Sequence, residues 1–429
     1  MSTRILFVST YGTSLDLAWQ CKREGAEVRM WIQSKLDRDV GDGFVEKVDD
    51  WQAHKDWAEV IVFDDVGWGA VCEKLRKEGK AVVGGAGYSD RLELDRDFGQ
   101  KEMQAAGLSI LPCWDFDGDG AFDKAISFVK EQPERYVVKP NGKAQNEKVL
   151  SFVGQEDDGR DVAEMLAFYK RGWGAKIKGF QVQKFAAGVE VAVGGFFNGK
   201  DFVLPAYINF EHKKLFNGDI GPSTGEMGTT AFWCGEIPLV KETILRFRAQ
   251  LAACGYVGYF DLNCIASHRG IVPLEATTRF GYPTINVQAE GLLSKWSEFL
   301  LALARGEAFN LRTKRGFQVA VVVAVPPFPF EDPAAFRKYS EDAAVLFKRE
   351  LPEGLHPCDV KIVEGDWRLA GSCGYALVVT GSASTMLDAR KEAYGRVRQI
   401  VIPNMFYRTD IGERWMRDGD LLQSWGFLG

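Results

Sequence analysis

The chain has 429 residues, 46% hydrophobic and 26% charged, with a formal net charge of −6 at pH 7. That length exceeds one compact core and points to roughly two to four domains, while the ordinary composition excludes a disordered or fibrous chain. No apolar run is long enough to span a bilayer and no dense Lys/Arg block offers a nucleic-acid surface, so neither membrane nor nucleic acid is an expected partner.

The opening MSTRILFVSTYG is a polar start followed by a buried-type strand, not a signal peptide, and a cytoplasmic protein is expected. Strands and helices then alternate through RILFVS, TSLDLAWQCKREG, AEVRMWI, AEVIVFDD, WGAVCEKLRKEGK and AVVGG, which predicts a doubly wound parallel sheet over residues 1–91. Its first loop, STYGTSLD, lies where such sheets hold ligands. With a single glycine it is a poor dinucleotide fingerprint and reads as a plain strand-to-helix turn.

Residues 92–106 predict one charged helix closed by Gly107. RYVVKPNGKAQNEKVLSFVG reads as two strands around a polar loop, followed by a helix near DVAEMLAFYKRG and the strand FQVQKFA. This α+β unit, residues 134–189, has the character of a lid inserted into a central domain of residues 92–133 and 190–306. The antiparallel strands EVAVGGFFNG, DFVLPAYINFE, GYFDLNCI and IVPLEA, with a helix over 286–306, complete that domain. RGEAFNLRTKRG is the linker candidate, and KRGFQVAVVVAV opens a last αβ unit, residues 316–429.

The eight cysteines are scattered without CxxC spacing and read as free thiols in a reducing cytosol. His54, His212, His268 and His356 are equally dispersed, so any metal should be a hard cation held by oxygen. The segment LEATTRFGYPTI supplies such oxygens. Glu275 interrupts an apolar strand, Thr277 projects to the same face, and Arg279 and Gly281 follow. These groups suit a magnesium-held phosphate beside an anionic substrate, or else a solvated Glu–Arg pair at a strand end.

GYFDLNCIASHRGIVPLEA forms a hairpin turning at Ser267–Gly270, and symmetric pairing sets Asp261 and Asn263 roughly level with Glu275 and Leu274. Two carboxylates on adjoining strands call for a cation between them, unless Asp261 lies on a solvated face. Lys139 ends a buried strand and needs an anion, either a phosphate or a structural carboxylate. Gln183 and Glu190 bracket QKFAAGVE at a strand end, where they suit either adenosine or the surface. GDIGPSTGEMGTT reads as a glycine-rich anion-binding or substrate loop, or as a long turn, with His212 and Lys213 before it and Asp219 within it.

The order of these segments resembles the glycinamide ribonucleotide synthetases, the phosphoribosylamine–glycine ligases of purine biosynthesis, within the ATP-grasp superfamily. EHKKLFNGDIGPSTGEMGTT is close to their HK…GDxGPxTGGMG loop, and LEATTRFGYPT parallels E-x-N-x-RFGDPE. LELDRDFGQK, VTGSASTMLDARKEAYGRV and NMFYRTDIG carry the likeness to both ends of the ATP-grasp unit and beyond. The resemblance implies an ATP-grasp fold with an N-terminal parallel-sheet domain, an inserted lid and a C-terminal αβ domain. It also implies an ATP-dependent ligase using Mg²⁺ (or Mn²⁺) that joins an amino acid such as glycine to an amine such as phosphoribosylamine, as a monomer or small homo-oligomer.

Carried over residue by residue, the resemblance implies Lys139 on nucleotide phosphates and Gln183, Lys184 and Glu190 around the nucleotide. Glu275, Asp261 and Thr277 are then metal ligands, and Asp219, Thr224 and Arg279 face the substrates. The departures are equally specific. Thr277 replaces a family asparagine, Tyr282 and Thr284 replace two carboxylates, and Tyr375 in SCGY replaces an arginine. STYGTSLD is a reduced form of the glycine-rich opening, and PNGKAQNEK lacks the usual run of glycines. They fall mostly where phosphoribosylamine would bind. A ligase with a changed amine, or an inactive nucleotide-binding relative, are the alternatives.

Overall fold

The computed structural model describes residues 2–141, 150–174, 177, 179–350 and 353–429. Most of the polar loop PNGKAQNEK, from Gly142 onward, lies outside the described residues.

At the N-terminus, Arg4–Ser9 is the middle strand of a five-stranded parallel sheet, flanked by Glu27–Ile32 and Val60–Phe63, with Glu46–Lys47 and Val82–Val83 at the edges. Its continuous apolar run is needed because both faces are covered. Ile5 and Phe7 enter one core, Leu6 and Val8 another.

The central sheet has eight strands. In spatial order they are Gly270–Thr277, Val257–Ser267, Val189–Asn198, Phe202–Glu211, Gly228–Cys234, Phe317–Val323, Leu377–Ala383 and Leu355–Pro357, all antiparallel neighbours. The last three come from the segment expected to form a separate C-terminal unit. Phe317–Val323 is buried on both faces and can satisfy its ladder only between two partners, so it joins Gly228–Cys234 to Leu377–Ala383.

The lid is a four-stranded sheet ordered Cys113–Asp117, Gly179–Lys184, Tyr136–Pro140 and Phe152–Val153, backed by helices Ala121–Glu131 and Arg160–Trp173. It begins well upstream of residue 134. Trp114 and Phe116 alternate into the lid core against Phe128 and Phe180, which draws Cys113–Asp117 into this sheet.

Two expected helices are split. Residues 92–106 form the end of Gly87–Leu94 and then Arg96–Ala105, because Asp95 is extended and accepts from the Phe98 N–H at 3.1 Å as an N-cap. Residues 286–306 divide into Thr284–Gly291 and Trp296–Ala304. The second of these starts on Glu24, whose carboxylate accepts from the Trp296 and Ser297 N–H groups at 3.1 and 2.9 Å. The glycine-rich segment after Lys213 is a small hairpin, Lys214–Phe216 with Ile220–Ser223, leading into Gly228–Cys234.

Candidate functional site

The strand Gly270–Thr277 is the edge of the central sheet, which is where a proline at 273 is tolerated. Pairing around the Ser267–Gly270 turn is regular as far as Cys264 opposite Pro273, and then Leu274 is inserted as a bulge. The expected register is therefore displaced. Glu275 lies opposite Asn263, and Asp261 lies opposite Thr277. Without the bulge Glu275 would oppose Leu262 and enter the apolar core with Leu262 and Ala276. The extra residue turns it to the face that carries Asp261, Asn263 and Thr277. Asp261 and Glu275 become diagonal neighbours across two strands rather than a level pair. Gly194 lies opposite Asp261 in the next strand, and a Cβ there would approach the Asp261 Cβ to 2.8 Å, so the row requires glycine at this point.

Lys213, at the start of the hairpin segment, organises the carboxylates of this face. Its Nζ lies 2.8 Å from Glu190 Oε1, 3.0 Å from Glu211 Oε2 and 3.7 Å from Glu275 Oε1. Asn263 Nδ2 donates to the same Glu211 oxygen at 2.8 Å, while its Oδ1 is buried without a partner among the described residues. Burial opposes the Lys213 charge, but Glu190, Glu211 and Glu275 together hold its pKa well above the usual value. Glu190, despite burial, is held low by Lys213 and then Arg414. Asp261 behaves oppositely. Burial, then Glu211 and Glu93, push its carboxyl well up, against the Thr277 hydroxyl and Arg279. A cation placed beside it would restore its charge.

The lid sheet presents its polar face to this row. Tyr136 and Val138 enter the lid core, so Lys139 faces the other way, opposite Gln181. Gln181 is buried and exchanges amide hydrogen bonds of 3.0 and 3.3 Å with Gln100 of the helix Arg96–Ala105, joining lid to central domain. Burial, then the neighbouring Arg96 guanidinium, push Lys139 down to about 8, against Glu275. Arg96 is itself lowered by burial, and its Nε is buried without a partner among the described residues. Gln183 is buried two residues beyond Gln181 on the same face. Lys184 is turned to the opposite face by the strand alternation, where its Nζ pairs with Glu134 at 2.8 Å, away from Lys139.

Arg279 leaves the strand end towards the N-terminal domain. Its Nε lies 3.2 Å from Glu93 Oε1 and 3.4 Å from Asp65 Oδ1, and Glu93 also accepts from the Thr278 N–H at 2.7 Å. Despite burial, Glu93 and then Asp65 raise the Arg279 pKa above its ordinary value. The break at Asp95 allows Glu93 to end one helix here while Arg96 opens the next. Between these groups lies a cleft of about 370 Å³ bordered by Tyr11, Asp65, Glu93, Arg96, Glu275 and Glu331, among others.

Asp219 and Thr224 are not among the cleft's lining residues. Asp219 Oδ1 accepts from Arg408 at 2.8 Å, and Arg414 lies 3.6 Å from its other oxygen. Arg408 is buried and also pairs with Asp410 at 2.7 Å, fastening the segment NMFYRTDIG to the hairpin. Thr224 donates its hydroxyl and its N–H to the Lys213 carbonyl at 2.9 and 2.8 Å, fixing the backbone of the lysine that gathers the carboxylates. Burial, then Arg414 and Arg408, push His212 down to about 3, leaving the imidazole neutral. Tyr375 has its ring 5.8 Å from Phe328 and its hydroxyl buried without a partner among the described residues.

Sequence reasoning did not single out Glu211, Arg96, Glu93 or Asp65. The run EHK before a glycine-rich segment is a usable signal for Glu211, whereas Glu93 and Asp65 reach Arg279 only through long-range folding.

The family profile described as phosphoribosylglycinamide synthetase, ATP-grasp (A) domain, matches residues 95–253. The phosphoribosylamine–glycine ligase of Streptococcus pneumoniae is 24% identical over 364 residues, covering 82% of this chain and 82% of its own. That of Caulobacter vibrioides is 28% identical over 363 residues, covering 80% of each chain. The solved phosphoribosylamine–glycine ligase of Thermotoga maritima superposes with a TM-score of 0.70 at 22% identity, covering 95% of this chain and 100% of that one. That superposition takes in the N-terminal parallel sheet, the lid sheet and the central antiparallel sheet, since it spans almost the whole chain. The chain has the ATP-grasp fold, and over about four fifths of its length it is similar to the phosphoribosylamine–glycine ligases.

Proposed function

We propose that the chain is a carboxylate–amine ligase that activates an acid as its acyl phosphate and passes the acyl group to an amine. The observation that carries this reading is the convergence of Lys139, Arg96 and Lys213 on the edge of the carboxylate row that ends in Glu275. Lys139 on a lid strand and Arg96 at a helix start oppose each other's charge, and an anion lying between them relieves that repulsion. A nucleotide triphosphate meets that need, with Gln183 and Glu190 beside the nucleoside.

The donors at the strand end fit a divalent cation. Among the described residues no group of three or more His, Cys, Asp or Glu side chains is placed to hold a metal ion. Magnesium in phosphate sites needs fewer, taking one or two carboxylates together with phosphate oxygens and water. Glu275 and Asp261 are the carboxylates, with the Thr277 hydroxyl and the orphaned Asn263 Oδ1 beside them. Mg²⁺ (or Mn²⁺) bound there supplies neutralisation of phosphate charge.

Lys139 and Arg96 hold the phosphates, and Lys213 keeps Glu190 and Glu211 from repelling them. Arg279, locked by Glu93 and Asp65, presents its remaining N–H groups to the acid's carboxylate. That carboxylate attacks the γ-phosphorus and ADP leaves. The amine's lone pair then attacks the acyl carbon, the bond to phosphate breaks, and the amine gives up a proton. Position and electrostatics supply most of the rate.

An amino acid such as glycine is the first acid to test and phosphoribosylamine the first amine, which makes the fuller reading a cytoplasmic enzyme of purine biosynthesis. Tyr282 favours a second reading, with a different amine. It stands where the family motif has a carboxylate, and its hydroxyl is spent on the Asp64 carbonyl at 3.1 Å. Incubation with Mg-ATP, hydroxylamine and a panel of amino acids tests the reaction class. Acid-dependent hydroxamate with matching ADP is expected. ATP binding without turnover on any acid refutes the reading in favour of an inactive nucleotide-binding relative.

A further inference from the structure

In a doubly wound sheet, the loop after the first strand and the helix it feeds offer N–H groups to an anion. Here an internal carboxylate already fills that position. Asp64, fully buried after the strand Val60–Phe63, accepts from the Ser9 hydroxyl and from the Ser14 hydroxyl at 2.7 Å. It also accepts from the Ser14 N–H at 3.1 Å, the Thr13 hydroxyl at 3.2 Å and the Thr10 N–H at 3.3 Å. Ser9 Oγ in turn accepts from the Gly12 N–H at 2.7 Å. A phosphate brought to this loop finds the Thr10, Gly12 and Ser14 amides engaged and a buried carboxylate behind them.

The adjoining end of the cleft has the same sign. From Glu275 and Arg279 it runs to Tyr11, Asp65 and Glu331. Arg96 faces Lys139 on the lid side, and Arg279 is held by Glu93 and Asp65 at 3.2 and 3.4 Å. Glu331 is exposed at the mouth, and Tyr11 stands between it and Asp65 with its hydroxyl pushed up by burial, then by Asp65, Glu331 and Asp37. At and beyond the Glu275 end stand Lys139, Arg96 and Lys213, which offset the carboxylates there, whereas the far end is anionic.

Resting on the ligase reading above, we infer that the acceptor is an unphosphorylated amine with a second cationic group, seated between Tyr11, Asp65 and Glu331. The neutral nitrogen reaches the acyl carbon beside Arg279, while the remote ammonium is held by the Asp65 and Glu331 carboxylates. A phosphorylated amine of equal length is repelled by those carboxylates and by Asp64. Discrimination of at least about tenfold, ~1.4 kcal/mol, is expected from this sign reversal.

The test uses the full chain with Mg-ATP and the acid that supports hydroxamate formation. 1,4-Diaminobutane and 4-aminobutyl phosphate are compared as acceptors and as competitors of hydroxylamine. The diamine should compete at a concentration at least tenfold lower than its phosphorylated partner, and Glu331→Gln should shrink that gap at least threefold. Equal or stronger competition by the phosphorylated amine, including no competition by either, overturns the inference and leaves the ligase reading standing. An unchanged gap in Glu331→Gln overturns the placement of the cation. Absence of hydroxamate with every acid is read first, and it removes the ligase reading and this inference together.

Discussion

Glu275→Gln separates function from stability. Glu275 Oε1 lies 3.7 Å from Lys213 Nζ, the longest of that lysine's three contacts, and the Glu275 side chain is 46% exposed. An ion pair so open to solvent contributes under about 1 kcal/mol, and Lys213 keeps Glu190 at 2.8 Å and Glu211 at 3.0 Å after the change. The melting temperature should fall by no more than about 3 °C. Turnover should respond quite differently. Losing the negative oxygen that anchors a phosphate-bound cation forfeits several kcal/mol of transition-state stabilisation, and about 4 kcal/mol corresponds to roughly a thousandfold in kcat. Glu211→Gln is the control. Glu211 is only 16% exposed and accepts from both Lys213 and Asn263, so its loss should cost about 3 kcal/mol of stability. ADP release with hydroxylamine as acceptor, measured beside thermal unfolding, reads both quantities. A Glu275→Gln enzyme with kcat within tenfold of the parent, or one that melts as early as Glu211→Gln, refutes the assignment of Glu275 to the metal.

Lys139 is held near 8 by burial and then by Arg96, so its ammonium is lost as pH rises through that value. The KM for ATP should climb by up to about tenfold per pH unit above 8 in the parent and stay flat in Lys139→Arg, whose guanidinium remains charged; equal slopes in both would exclude Lys139 from the phosphates. Arg279→Lys keeps a cation but loses the fork facing Glu93 and Asp65, so kcat/KM for the acid should drop about a hundredfold with a KM for ATP within twofold of the parent; a rise confined to the ATP constant would place Arg279 on the nucleotide instead. Asp64 is pushed up to about 6 by burial and then by Asp65, against the Ser9, Ser14 and Thr10 donors. A carboxyl raised on folding contributes stability that is complete below its unfolded pKa and is lost as pH rises through the folded one. Denaturant titrations from pH 4 to pH 7 should therefore show the parent losing about 2 kcal/mol relative to Asp64→Asn, and parallel curves would contradict the buried charge.

What was legible in the sequence was whatever alternation and motif spacing control. The apolar runs VEVAVGGFFN, FVLPAYINFE and VGYFDLNCIAS read as antiparallel strands, which they are, and strand alternation puts Asp261 and Asn263 on one face. Insertions and tertiary partners were not legible. The Leu274 bulge follows from no local propensity, yet it decides whether Glu275 points at Lys213 or into the core. Asp95 looked like another charged helix residue until its carboxylate was seen capping Phe98, which is what brings Glu93 to Arg279 and Arg96 to Lys139. Lys184 lies next to Gln183 in sequence and one strand face away in space, where it meets Glu134. Asp64 was indistinguishable from a surface carboxylate at a strand end until five donors were found around it.

Local charge then explains why a divalent cation is needed at this site and why its place is at Glu275. On the nucleotide side Lys139, Arg96 and Lys213 face Glu190, Glu211 and Glu275, while burial and then the nearness of Glu211 and Glu93 disfavour the Asp261 charge. This set is close to neutral, so a triphosphate entering it alone would bring about four negative charges with little to offset them. Arg279 gives no relief, because Glu93 and Asp65 already balance it. A divalent cation beside Glu275 halves the deficit and makes ionisation of Asp261 favourable, adding a ligand as it binds. The longest contact in the lysine-centred cluster is the 3.7 Å one to Glu275, so Lys213 loses least when Glu275 turns to a metal, while Glu190 and Glu211 keep the lysine in place. The bulge that turns Glu275 outwards thus places a carboxylate at the phosphate edge, within reach of Lys213 and of a metal bound beside it.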